Sequence, residues 1–152
     1  MEILRFNRDR SNEYKNFIRK YNNVAEFNTL NINTFGVGEK EIFLVVEKGK
    51  IRKYNILAYA IVQKDLKYLY IVNSISEEYK NDGTVIFISD FMVKEKMRNK
   101  GIGTKLAHYL INFIYLDKDI ILQPDGDGNW FWRRFNFISD NISKKATLKM
   151  QK

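Results

Sequence analysis

From Thr84 to Val93 the chain reads Thr-Val-Ile-Phe-Ile-Ser-Asp-Phe-Met-Val, apolar at nearly every position, directly behind the turn signal Asn81-Asp82-Gly83. A strand with one wet face alternates, whereas a strand apolar on both faces needs cover on both sides and belongs inside a sheet. A basic loop with two glycines follows, and then Ile102, Leu106, Leu110 and Phe113 mark one stripe of an amphipathic helix ending near Leu116. Asp119 to Gln123 reads as the next strand. Strand, helix and strand in that order make a parallel crossover, which constrains everything placed around it.

Glu2 to Phe6 reads as a short strand, and Ser11-Asn12-Glu13 can cap a helix that carries Tyr14, Phe17, Ile18 and Tyr21 at helical spacing. The Asn-rich stretch from Asn22 to Gly38 reads as a loop with one broken helical turn. Glu41 to Glu47, Tyr54 to Gln63 and Tyr68 to Asn73 are β-branched and aromatic runs, expected to be strands. The sequence between Asp65 and Asn81 suggests an additional strand or a long hairpin. Trp130 to Phe135 fits a short helix, and Phe137 to Ile142 and Ala146 to Met150 a closing pair of strands. The sum is an α+β fold: a mixed, mostly antiparallel sheet with helices on both faces. No repeat or linker interrupts residues 1–152, so one domain is expected.

With 45% hydrophobic and 14% aromatic residues, the chain can bury enough surface to offset its conformational entropy. The absence of cysteine excludes disulfides, thiolate metal sites and cysteine nucleophiles; the single His108 excludes any site that needs two imidazoles. Asp125-Gly126-Asp127-Gly128-Asn129 imitates a calcium loop but puts Trp130 at the required glycine and Asn136 at the bidentate Glu, so no metal is expected. Charges at the N-terminus argue against an export signal. The longest apolar run, the seven residues Ile56 to Val62, is too short to span a bilayer, so a cytoplasmic protein without a membrane partner is expected. A formal charge of +8 favours an anionic partner: nucleic acid, a nucleotide cofactor or an acidic macromolecule. Lys94, Lys96, Arg98, Lys100 and Lys105 cluster at the mouth of the predicted helix.

That mouth carries Arg98-x-x-Gly101-x-Gly103. A first helical turn leaves N–H groups unpaired, and the helix dipole adds positive potential, so the segment reads as an anion cradle. Gly101 and Gly103 are expected to remove the Cβ atoms that would hold a pyrophosphate away from the backbone. A P-loop is excluded by the order Gly103-Thr104-Lys105, and the dinucleotide fingerprint by Leu106 at its third glycine.

The segment resembles the acyl-coenzyme A signature of the GNAT superfamily of N-acetyltransferases, Arg/Gln-x-x-Gly-x-Gly/Ala, behind a strand written acid-x-x-Val and matched by Asp90-Phe91-Met92-Val93. The order of elements is also similar to the family fold over most of the chain. The resemblance implies acetyl-CoA as co-substrate, held at its pyrophosphate by the backbone of Arg98, Asn99, Lys100, Gly101, Ile102, Gly103 and Thr104. It implies that Phe91, Met92 and Val93 pair with the pantetheine arm in a slot left by the splayed strand Ile120 to Leu122, and that a backbone N–H there serves the oxyanion. The acceptor would be an amine on a small molecule, a peptide or RNA, attacking directly.

An ionised carboxylate in so apolar a strand is costly unless it is hydrogen-bonded or faces a wet cleft. Asp90 is therefore either the catalytic base or a structural Asp paired with a nearby Lys or Arg, with Glu77 and Glu78 as weaker alternatives for the base. His108 lies off the core stripe and reads as a surface residue. The family often has a Tyr that protonates the departing thiolate; here Trp132 stands at that place and Asn136 at a following Gly, and indole cannot act as the acid. Tyr79, Tyr109 or water would substitute, or catalysis would be slow or absent. Trp132 itself reads as core. The alternative is a catalytically weak or inactive module of the same fold that binds nucleic acid or another ligand. The oligomeric state is left open, a dimer being compatible.

Overall fold

Among the residues described by the computed structural model (1–20, 30–31, 33–36, 38–48, 54–126 and 128–151), seven strands form one sheet. Much of the Asn22 to Gly38 stretch, together with Tyr21 and Asp127, lies outside the described residues. Strands β1 (Glu2–Phe6), β2 (Lys40–Lys48), β3 (Tyr54–Gln63) and β4 (Val85–Val93) lie side by side, each antiparallel to the last. β5 (Asp119–Leu122) runs parallel to β4, and β6 (Phe137–Ser139) and β7 (Leu148–Met150) complete the order β1-β2-β3-β4-β5-β7-β6. The helices are α1 (Ser11–Lys20), the single turn α2 (Leu69–Val72), α3 (Ile102–Tyr109) and α4 (Gly128–Arg133).

The two-sided apolarity of β4 is used as its sequence requires. Ile86 and Ile88 pack with Leu106 of α3, with Leu110 just past its end and with Trp132 of α4, while Val85 and Phe87 pack on the other side with Leu69 of α2. Tyr14 and Ile18 of α1 cover Ile42, Leu44, Val46 and Ile61 on that second side. Each Ile or Leu fully buried in this way contributes about 1.5–3 kcal/mol relative to exposure. The result is a mixed, mostly antiparallel sheet with helices on both faces.

One residue in β4 breaks the alternation. Asp90 stands opposite Ile61 and Ile88 opposite Val62, so Ser89 is extra, and its hydroxyl donates to Ile61 O at 3.2 Å. Side chains alternate with period two, so an inserted residue exchanges the two faces of all that follows. Phe91 and Val93 therefore join the α3 side of the core with Ile86 and Ile88, and Asp90 is spared burial there.

Two expectations change. Tyr68 to Asn73 is not a strand: β3 is already flanked by β2 and β4, and the segment closes its hydrogen bonds locally, Val72 N–H to Tyr68 O at 2.8 Å and Asn73 N–H to Leu69 O at 3.0 Å. The stretch from Asp65 to Asn81 thus holds α2 and loops instead of a further strand or hairpin, its β propensity overridden by the lack of a partner. The α3 stripe holds through Leu110, then drifts. Leu110–Ile114 is π-helical, with Tyr115 N–H donating to Leu110 O at 2.8 Å, and the wider turn brings Ile111 and Tyr115 inward while Phe113 stands 74% exposed.

Gly103 also carries a packing constraint. A Cβ there would meet Val93 Cγ2 at 3.1 Å and the Phe131 ring at 3.5 Å, so its missing side chain lets α3 lie close to β4 and α4. Gly103→Val should overpack this contact and lower the stability of the unliganded protein by about 1–3 kcal/mol, read as a fall of several degrees in melting temperature. At the far end of the sheet, buried Glu41 accepts from Arg5 Nε and faces Lys64 Nζ at 3.1 Å. Burial pushes the Glu41 carboxyl up, but its bonds and charge pairing with Arg5 and Lys64 outweigh that and hold it below its ordinary value. The resulting stabilisation is complete above the unfolded value of about 4.3 and is lost as pH falls through the lower folded one. Glu41→Gln should cost about 1–3 kcal/mol at pH 7. Denaturant titrations should show the gap to wild type closing as the pH is lowered through that window.

Candidate functional site

β4 and β5 pair only from Val85 to Ile88 against Asp119 to Leu122. Past the Ser89 bulge β4 continues to pair with β3, from Asp90 opposite Ile61 to Val93 opposite Ala58, while β5 has ended. Lys94 N–H donates to Leu57 O of β3 at 2.8 Å. Strand N–H groups alternate in direction, so Met92 also points to β3, and the N–H groups of Phe91 and Val93 are left on the open side. Val93 O lies on that side too, accepting from Arg98 Nε at 3.1 Å.

The open edge of β4 leads straight to the start of α3. The chain passes through one 3₁₀ turn, Glu95–Met97, then reverses through the left-handed residues Asn99 (φ 63°) and Gly101 (φ 79°). Gly101 is the helix N-cap, and among the described residues no side chain caps the first turn, so the N–H groups there remain available with the positive end of the dipole behind them. A Cβ added at Gly101 would meet nothing within 4 Å, although a side chain would be strained at that φ. An open cleft of about 940 Å³ occupies the space in front, walled by Phe91, Met92 and Val93 of β4, by the turn, and by Phe131, Trp132 and Arg134. Arg98, Asn99, Gly101, Ile102, Gly103 and Thr104 all line it; Lys100, named with them from the sequence, is exposed outside its wall.

Where β4 parts from β5, a smaller notch of about 250 Å³ adjoins this cleft and shares Phe91, Met92, Asp125, Gly128 and Trp132 with it. Asp90 lines the notch with Tyr59, Ser89 and Gln123. Burial pushes the Asp90 carboxyl above its ordinary value, against the smaller opposing effects of the Ser89 hydroxyl, 3.4 Å away, and the Lys40 charge. Among the described residues Asp90 makes no ion pair. Gln123 is fixed by its amide, which donates to Asn73 O at 2.7 Å and Thr147 Oγ1 at 3.0 Å.

Trp132 is buried, edge-on to Phe91 at 4.8 Å and to Phe137 at 5.3 Å, and is core as expected as well as cleft wall. Neither substitute acid reaches the site. Tyr79 donates to Asp140 Oδ2 at 2.8 Å within the cluster around Leu66, and burial raises its hydroxyl; Tyr109 packs on Phe43 and Phe113. Glu77, Glu78 and His108 are exposed, outside the cleft and the notch. Tyr59, Gln123 and Arg134 line the two cavities without having been named from the sequence. Tyr59 comes to the notch by its register opposite Met92, which no local pattern encodes. Arg134 had a signal in the basic end of the predicted short helix.

Among the described residues no three His, Cys, Asp or Glu side chains gather as a metal site, and no helix is long and apolar enough to cross a membrane. Searched by sequence, curated proteins yield no match. Similar solved structures include an acyl-CoA N-acyltransferase from Pseudomonas aeruginosa, with 11% identity and a TM-score of 0.58 over 99% of this chain and 100% of that one. A GNAT-family acetyltransferase from Staphylococcus aureus Mu50 has 12% identity and a TM-score of 0.51 over 98% and 97%. A chain of a KacTA–DNA complex has 10% identity and a TM-score of 0.58 over 97% and 92%. At such identities these likenesses speak for the fold. A model of the acetyltransferase (GNAT) family matches residues 8–118, which takes in the bulged strand, the glycine turn and α3, and the chain belongs to that family.

Proposed function

We propose that the protein transfers an acetyl group from acetyl-CoA to a primary amine by direct attack, with Asp90 as the base. The observation that carries this reading is the continuity of three features: an uncapped helix start, an unpaired strand edge and a half-buried carboxylate without an ion pair. The residues present fit a phosphate-bearing thioester. The cleft lies within the roughly 300–1,000 Å³ common for ligand sites, and Arg98, Arg134 and the free N–H groups of α3 favour anions. The backbone of Arg98 to Thr104 would hold the diphosphate, and Phe91 to Val93 would pair with the pantetheine arm. Bound there, acetyl-CoA would supply an activated carbonyl and a thiolate leaving group.

The chain's own residues supply the rest. Of the two N–H groups on the open side of β4, at Phe91 and Val93, one would bond the pantetheine arm and the other would be a donor for charge developing on an acyl oxygen. An alkylamine with a pKa near 10.4 must lose a proton to attack, and Asp90 is positioned in the notch to accept it. Its raised pKa makes it a stronger base than an ordinary carboxylate, and it must be ionised to act. Activity should therefore rise with pH through the Asp90 value.

Acetyl-CoA at about a hundred times its dissociation constant should stabilise the fold by about 2.7 kcal/mol, read as a thermal shift. Arg98→Ala should reduce that shift, and an equal shift in the variant would move the phosphate site elsewhere. The alternative of a binding module without turnover would give salt-dependent RNA binding indifferent to acetyl-CoA. On any amine of a panel that the wild type acetylates, Asp90→Asn should lower kcat by about 10²- to 10⁴-fold and erase the acidic limb of the pH–rate profile. Unchanged turnover across that limb would remove Asp90 as the base.

A further inference from the structure

Arg134 lies just past α4 on the wall of the cleft, opposite the β4 edge. Its guanidinium sits over the Phe131 ring at 5.3 Å and near the Phe135 ring at 6.0 Å. Those two rings are themselves packed together, with centroids 5.3 Å apart. The same guanidinium reaches the first turn of α3, where Nη2 is 3.5 Å from Thr104 Oγ1. That contact is long and neutral, and among the described residues no carboxylate pairs with Arg134. This exposed planar cation thus lies against aromatic faces, and among the described residues only its Nη2 has a hydrogen-bond partner, at the rim of an anion-favouring helix start.

Arg98 differs. Its Nε is committed to Val93 O at 3.1 Å, so it ties the turn to β4 as well as presenting charge. The two arginines come from opposite walls of one cleft, one from the β4 side and one from the α4 side. A guanidinium held in orientation before its ligand arrives loses less freedom on binding and matches a phosphate with two parallel hydrogen bonds.

We infer that Arg134 is a phosphate-binding residue of the cleft, a side chain that adds to the site's preference for a phosphorylated acyl carrier over the bare pantetheine thioester. This rests on the acetyl-CoA reading above, and it adds a residue that neither the glycine signature nor the β4 edge supplies. The phosphate is either the diphosphate or the ribose 3′-phosphate of the carrier, which present the same chemistry.

The test compares wild type with Arg134→Leu, which keeps an apolar stem against Phe131 and Phe135, and with Arg134→Lys, which keeps the charge but loses the fork. Affinities for acetyl-CoA and 3′-dephospho-acetyl-CoA are measured by calorimetry, and that for acetyl-pantetheine by ligand-observed NMR. Arg134→Leu should weaken acetyl-CoA by about tenfold or more, leave acetyl-pantetheine unchanged, and be partly rescued by Arg134→Lys. The difference from wild type should shrink as salt is raised. If the loss persists with the dephospho compound the contact is to the diphosphate; if it vanishes, to the 3′-phosphate. Equal losses for acetyl-CoA and acetyl-pantetheine, or no loss for either, would overturn the inference and leave the acetyl-CoA reading standing. Failure of the wild type to bind acetyl-CoA would overturn that reading, and the inference with it.

Discussion

A single extra residue in one strand sets the geometry of the candidate site. Ser89, held to β3 by its hydroxyl, exchanges the faces of β4 beyond it. Without that exchange Asp90 and Met92 would point at α3 and Phe91 and Val93 away from it, burying a carboxylate in the main core and taking Phe91 out of its contact with Trp132. The parity change therefore puts the apolar pair where α3 and α4 need it and the carboxylate where β4 and β5 separate. Burying a charge without a partner is among the costliest events in folding, which makes the bulge a requirement of this sequence.

The loop between β4 and α3 serves packing and electrostatics through different residues. Gly103 is the close-approach glycine, with Val93 and Phe131 where its Cβ would be. Gly101 is the turn glycine: its positive φ lets the chain reverse, and among the described residues no atom lies within 4 Å of where its Cβ would be. Two glycines two residues apart in a motif thus answer to separate constraints, one steric within the fold and one conformational at its surface. The uncapped N–H groups between them are tolerated because the cleft leaves them reachable by water or a ligand.

How far the sequence reveals this depends on the range of the interactions involved. β4, α3 and their order were legible because hydrophobic period and glycine placement are local. The glycine turn before α3 was legible for the same reason: Arg98, Asn99, Gly101, Ile102, Gly103 and Thr104 line the cleft, and Lys100 does not. Tyr68 to Asn73 misled because strand-like composition says nothing about whether a neighbouring strand has room, and both edges of β3 were taken. Phe113 misled because a wide turn at Leu110 changes the period after the stripe has been counted. The notch was the least legible part. Tyr59 enters it through a register that itself depends on the bulge, and Gln123 is fixed by Asn73 and Thr147 far away in sequence.

Trp132 shows the cost and the compensation in this arrangement. An indole at the place where a phenol often stands cannot protonate a departing thiolate, and none of the tyrosines considered as substitutes lines the cleft. In the proposed transfer a thiol with a pKa near 8.5 is a fair leaving group unaided, so the missing acid would lower the rate and leave the reaction possible. What the larger ring provides is rigidity: Trp132 meets Phe91, Phe131 and Phe137 at once, locking α4 to the open half of β4. That lock holds both cleft walls at fixed separation, one carrying free strand N–H groups and the other Arg134. In the proposed reaction such a site would go without acid assistance from this position and would depend instead on orientation, which the Ser89 bulge and the Trp132 packing jointly determine.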